Sequence, residues 1–274
     1  MKKPKALCFC LVIALIQASA ITAPAQPNRE QTVRALKGMA VGFAAYLGGN
    51  VAREWAGPDR SLFSAPTGLD RFFRDALYQP GKTTNWLDAN GLYYLIFGGL
   101  GVTTATSVAS QRGWDVYEIG YDAAAYSTGI LLTGGLTRII KGVVSRPRPY
   151  AYFGTRPIPE DTSEAYRSFV SGHASIAFYI AAFLRYRLNA TFPESSRWQR
   201  QASNLLLFGL ATYTAYSRLQ IDQHYVTDVV AGALLGVAIA RLTHRWFYPP
   251  SSTASAKTAR ISPSPGMIHI RIAF

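Results

Sequence analysis

Residues 168–184 read Ser-Phe-Val-Ser-Gly-His-Ala-Ser-Ile-Ala-Phe-Tyr-Ile-Ala-Ala-Phe-Leu. Ser171 is a residue type that favours the N-cap of a helix. The run behind it is apolar on every face, which marks a helix buried in a core or set in lipid. Five more stretches share this character: 38–52, 89–111, 123–137, 201–217 and 229–240 carry no charge and are rich in Ala, Leu and Gly. Strand-like alternation is not sustained in the body of the chain, so helices are expected. The predicted fold class is all-α, a bundle of about six core helices. Of the six stretches, only 89–111 is long enough to span a bilayer without charges at its ends.

The chain has 274 residues, a length that fits one large domain or two small ones. It is 49% hydrophobic and 16% charged, too apolar for intrinsic disorder. The formal net charge of +13 suits anionic partners. No nucleic-acid module or long basic arm is present, so phosphate or phospholipid fits better than nucleic acid. Lys2, Lys3 and Lys5 precede an apolar core at 6–16, followed by small-residue cleavage sites ending at Ala20 and Ala25. Residues 1–25 therefore read as a signal peptide, with an uncleaved anchor as the alternative. Both cysteines, Cys8 and Cys10, lie inside it, so disulfides and cysteine-zinc sites are not expected. Residues 26–84 form an N-terminal helical and extramembrane segment, with an amphipathic stretch around 69–78. Residues 85–246 form the core. The tail 247–274 is rich in Pro and Ser and ends in strand-like alternation at 268–274.

Three blocks carry chemistry. In the first, Lys141 is followed by a Pro-braced turn bearing Arg146 and Arg148. Guanidinium forks match phosphate oxygens and lysine adds a point charge, although a basic helix end reads the same way. In the second, Ser171 and Gly172 start a helix whose free N–H groups favour an anion, with His173 in its first turn. In the third, Arg218 precedes His224 and Asp228. The last two share a helix face, and such an Asp fixes an imidazole tautomer so that the other nitrogen can attack. A surface His–Asp pair is the plainer alternative.

In this order, 141–149, 168–175 and 217–228 resemble the three signature motifs of the type 2 phosphatidic acid phosphatase superfamily. That group includes lipid phosphate phosphatases, bacterial non-specific acid phosphatases and vanadium haloperoxidases. The resemblance covers about residues 85–245. It implies a metal-independent phosphatase with no cofactor and its active site at one end of the bundle. It implies His224 as nucleophile, Asp228 as its orienting partner and His173 as the acid for the leaving group. It also implies a phosphate cradle of Lys141, Arg148, Arg218, Ser171 and Gly172. Arg146, Asp222 and Gln223 fall just outside this set. One position departs from the pattern: Val170 stands where the second motif usually has Pro. This loosens the turn but removes no catalytic group.

Basic residues at 185–200 and after 240 place the opposite end of the bundle in the cytoplasm and the site in the periplasm of a bacterial envelope. With a cleaved leader, this requires 38–52 to pack without crossing. The substrate expected is a phospholipid or polyprenyl phosphate at the inner membrane. The alternatives are a soluble periplasmic acid phosphatase, a vanadate-dependent oxidase and an inactive lipid-binding protein. Oligomeric state is left open by the sequence.

Overall fold

The longest helix runs from Val116 to Val144, and most of the other long helices pack against it. In the computed structural model, residues 28–249 are described apart from 58, 60, 64, 83–88, 112–114, 159 and 161. The helices in chain order are α1 (Arg29–Ala52), α2 (Gly68–Leu77), α3 (Ala89–Gln111), α4 (Val116–Val144), α5 (Pro149–Tyr152), α6 (Thr162–Ala165), α7 (Gly172–Thr191), α8 (Arg197–Gln220) and α9 (Val226–Phe247). A 3-10 turn, Arg53–Trp55, follows α1. No strand occurs among the described residues. Six helices (α1, α3, α4, α7, α8 and α9) run the length of the bundle, as predicted. The segments 1–25 and 250–274, with the leader and the strand-like ending, lie outside the described residues.

Local sequence starts and stops these helices. Asn28, Asp115 and Ser171 accept hydrogen bonds from first-turn N–H groups of α1, α4 and α7. Thr67 with Asp70, and Ser196 with Gln199, form reciprocal capping boxes at α2 and α8. At the end of α4, Ser145 turns the chain with a left-handed φ of 49°.

Small residues let the helices approach closely. A Cβ on Gly142 of α4 would lie 1.8 Å from the Ala52 carbonyl oxygen, and one on Gly236 of α9 would lie 2.1 Å from that of Ser175. The α1–α4 and α7–α9 pairs thus meet backbone to backbone. The core between them is aromatic. Tyr179 donates to the Tyr126 carbonyl at 2.8 Å and Tyr126 donates to that of Ile96 at 2.9 Å, tying α7 to α4 and α4 to α3. Phe183 packs on both rings.

One expectation needs correction. The stretch 38–52 is the second half of a helix that runs the full bundle length parallel to α4. Arg34 of α1 lies beside Phe247 at the far end, and Ala52 meets Gly142 at the site end. The polar residues 29–37 continue the helix N-terminally beyond the charge-free stretch. As expected of a stretch that spans by carrying charges at its ends, Val226–Phe247 joins Gly91–Ser110 as a helix long and apolar enough to cross a membrane among the described residues.

Candidate active site

α4 and α8 end, and α7 and α9 begin, at one end of the bundle, so the three blocks converge there. A cavity of about 530 Å³ is lined by Lys141, Arg148, Gly172, His173, Arg218 and His224, with Gln223, Arg138, Arg53, Leu92 and Ile176 also in its wall. Six of the eight predicted site residues thus face one space. The other two, Asp228 and Ser171, sit behind it. Asp228 is fully buried, 3.6 Å from Nδ1 of His224 through its Oδ2. Ser171 does not line the cavity; its Oγ accepts from the Ala174 N–H at 3.5 Å and caps α7.

The electrostatics favour an anion. Burial, then the charges of Lys141, Arg148, His173 and Arg218, hold His224 well below the usual imidazole value of 6.5. The ring is therefore neutral near pH 7, as a nucleophile must be. Burial, then Arg148, pushes the Lys141 ammonium down to about 7. An anion among these groups would relieve both penalties. Arg148 is aimed by two neighbours, Glu164 and Gln223, and Lys141 donates to the Arg167 carbonyl.

Asp228 is set by groups from all three blocks. Arg146 donates to its Oδ1 at 2.5 Å; Ser168 Oγ and the Tyr225 N–H donate to Oδ2 at 2.5 and 2.9 Å. The Ser171 N–H donates to the Asp228 carbonyl at 3.0 Å, and the Ser168 N–H to that of Arg146 at 3.1 Å. These bonds pin the turn before α7 on both sides of the buried Val170. The turn does not depend on a ring at that position.

The residues that sequence reasoning missed come from α2. Arg146 sits 2% exposed between the Tyr225 and Phe63 rings, 4.1 and 4.8 Å from their centroids. Its second amino group donates to Asp70 at 2.7 Å. Asp70 also accepts from the N–H and hydroxyl of Thr227, at the start of α9, at 3.1 and 2.8 Å. Burial pushes the Asp70 carboxyl up, but the bonds from Arg146 and Thr227 outweigh it and hold the group below the carboxylate range. One turn on, Arg74 grips Asp222 with two bonds of 2.8 and 2.9 Å. Asp70 and Arg74 are four apart, on one face of α2. The sequence signal was present in that spacing, but the partners lie about 75 to 160 residues away.

The all-helical bundle thus focuses cations and a neutral histidine with a carboxylate behind it on one cavity, an arrangement whose charge and geometry suit a phosphoryl group. The family model of the PAP2 superfamily matches residues 122–251 of this chain. Among curated proteins it is similar to the probable lipid phosphate phosphatase 4 of Arabidopsis thaliana, 28% identical over 155 residues, 49% of this chain and 50% of that one. It is similar to phospholipid phosphatase 2 of Homo sapiens, 35% identical over 86 residues, 31% of this chain and 30% of that one. It is also similar to diacylglycerol pyrophosphate phosphatase 1 of Saccharomyces cerevisiae, 26% identical over 196 residues, 62% of this chain and 68% of that one. The chain spans about half the length of the first curated relatives it matches. Among solved structures, a transmembrane PAP2-type phosphatidylglycerolphosphate phosphatase from Bacillus subtilis aligns with a TM-score of 0.39 and 20% identity, over 95% of this chain and 100% of that one.

Proposed function

We propose that the protein is a membrane phosphatase that hydrolyses phosphate esters or anhydrides of lipids through a phosphohistidine on His224. The observation that carries this reading is the shared cavity of His224, His173, Lys141, Arg148 and Arg218, with Asp228 behind the nucleophile. With Nδ1 toward Asp228, Nε2 of His224 attacks phosphorus. The bond from phosphorus to the leaving oxygen breaks, its electron pair goes to that oxygen, and His173 supplies a proton. The three cations and the first N–H groups of α7 balance the charge on the phosphoryl oxygens. Water, deprotonated by His173, then releases inorganic phosphate and frees His224.

The outer surface supports lipid as the substrate's setting. The apolar window of α3 is only 28% buried and that of α9 39%. Tyr94 and Phe97 on α3, Leu47 and Val51 on α1, Leu205 and Leu206 on α8, and Leu234 and Leu242 on α9 stand exposed. A soluble bundle hides such helices; a bilayer covers them.

The test is phosphate release by detergent-extracted protein from long-chain lipid phosphates and from a water-soluble aryl phosphate, with and without EDTA. Release from the lipids is expected to survive EDTA and to vanish in His224→Ala. Release confined to the aryl phosphate would overturn the lipid reading, and full activity in His224→Ala the mechanism.

A further inference from the structure

Arg138 lies on α4 one turn before Lys141 and lines the same cavity. Its guanidinium packs 4.6 Å from the centroid of the Tyr46 ring. Among the described residues no carboxylate pairs with it. A half-buried guanidinium with no carboxylate beside it is open to pairing with an incoming anion. Beside it, the Thr137 hydroxyl also lines the cavity, is buried, and has no hydrogen-bond partner. Two neighbouring polar groups of α4 thus face the space that takes phosphate, and neither is used by the chemistry at His224.

Their depth gives them a role. A Cβ on Gly134 would lie 3.0 Å from an Arg138 amino nitrogen, so the guanidinium folds back along α4 away from the site end. Side chains on a helix lean toward its N-terminus, so the Lys141 ammonium stays about one turn (~5 Å) nearer the mouth. The apolar wall of the cavity is Leu92 and Ile176 on α3 and α7. A lipid held with its outer phosphate among Lys141, Arg148 and Arg218, and its chain along Leu92 and Ile176, passes Arg138 at the group that joins the two.

We propose that Arg138 and Thr137 form a second anion subsite that holds the inner phosphate of a lipid diphosphate, and that diphosphates are the preferred substrate class. The inference rests on the phosphatase reading above. When His224 attacks the outer phosphorus, the bond to the bridging oxygen breaks. The electron pair stays on that oxygen, which becomes a terminal oxygen of the departing lipid monophosphate. The new charge develops beside Arg138, whose guanidinium binds it more strongly in the transition state than in the ground state. A monophosphate ester places no anion there and gains nothing from the subsite.

The experiment compares kcat/KM for a polyprenyl diphosphate and the polyprenyl monophosphate of the same chain length, in one detergent, for wild type, Arg138→Gln, Arg138→Lys and Thr137→Val. The readout is the diphosphate-to-monophosphate ratio within each preparation, which does not depend on the folded fraction. The wild-type ratio is expected to exceed one. Arg138→Gln is expected to lower it about tenfold, Arg138→Lys less, and Thr137→Val in the same direction. A wild-type ratio at or below one, or an unchanged ratio in both Arg138→Gln and Thr137→Val, overturns the subsite. Wild type inactive on both lipids would instead overturn the phosphatase reading itself.

Discussion

Lys141 and His224 share one cavity, and burial together with the Lys141 charge holds the His224 ring neutral. With the Lys141 ammonium pushed down to about 7, raising the pH above neutrality removes a cation from the empty site. A dianionic phosphate then binds less well, so kcat/KM is expected to fall above about pH 7. Once bound, the phosphate restores the Lys141 charge, and kcat should hold to higher pH. Neutral His224 sets the acid side: its lowered pKa puts that limb of the profile below 6.5. Separate pH profiles of kcat and kcat/KM check this, and Lys141→Arg, which keeps its charge, should lose the alkaline limb of kcat/KM. An alkaline limb unchanged in that variant would assign it to another group. The identities of these residues and their order were legible in the sequence. Their titration was not, because it depends on how many cations share one buried volume.

At the scale of elements, α2 is the part whose role changed most. Its amphipathic pattern predicted a helix, and Leu69 and Phe72 are indeed exposed, as at a membrane surface. Its other face braces the loop that carries His224, through Asp70 on Arg146 and Thr227 and through Arg74 on Asp222. Residues outside the matched stretch therefore hold the groups around Asp228 in place. Asp70→Ala leaves Arg146 with one of its two buried carboxylates. A loss of about 3 kcal/mol in stability is expected, read by thermal or denaturant unfolding. Asp70→Asn keeps the acceptor for Thr227 and should lower kcat more than it changes KM. A loss confined to KM would show that α2 serves substrate binding rather than alignment of His224. Helix periodicity shows which face of α2 is polar. It does not show that the partner of Asp70 is an arginine 76 residues away.

For the whole molecule, six traversals put Asn28 and Tyr248 at the same end, opposite the site. Arg185, Arg197, Arg200, Arg241 and Arg245 are exposed toward that end, whereas Arg74, Arg146 and Arg148 at the site end are held in ion pairs. By the positive-inside rule the site is expected to face away from the cytoplasm. A leader cleaved outside would leave residue 28 on the opposite side from this, so orientation is a direct test. Cys8 and Cys10 are the only cysteines, and replacing them allows single-site labelling. In intact bacterial cells an impermeant thiol reagent is expected to label Asp75→Cys, and Glu194→Cys only after permeabilisation. The reverse pattern would turn the site toward the cytoplasm, and equal labelling of both would mean that the bundle does not cross.

The sequence by itself determined most of the long helices, the cap at Ser171, and the candidate site residues with their order. These follow from local chemistry: apolar runs, short polar side chains at helix ends, and charged groups at fixed spacings within a few turns. Only the tertiary structure decided that α1 runs the whole bundle, that Ser171 caps α7 without facing the cavity, that Asp70 stands behind Arg146, and that Arg138 opens into the phosphate site. Each of these depends on which backbones approach closely enough to bury a polar group against a distant one. That choice is made by packing between elements, through contacts such as Gly142 on Ala52, and no local pattern encodes it.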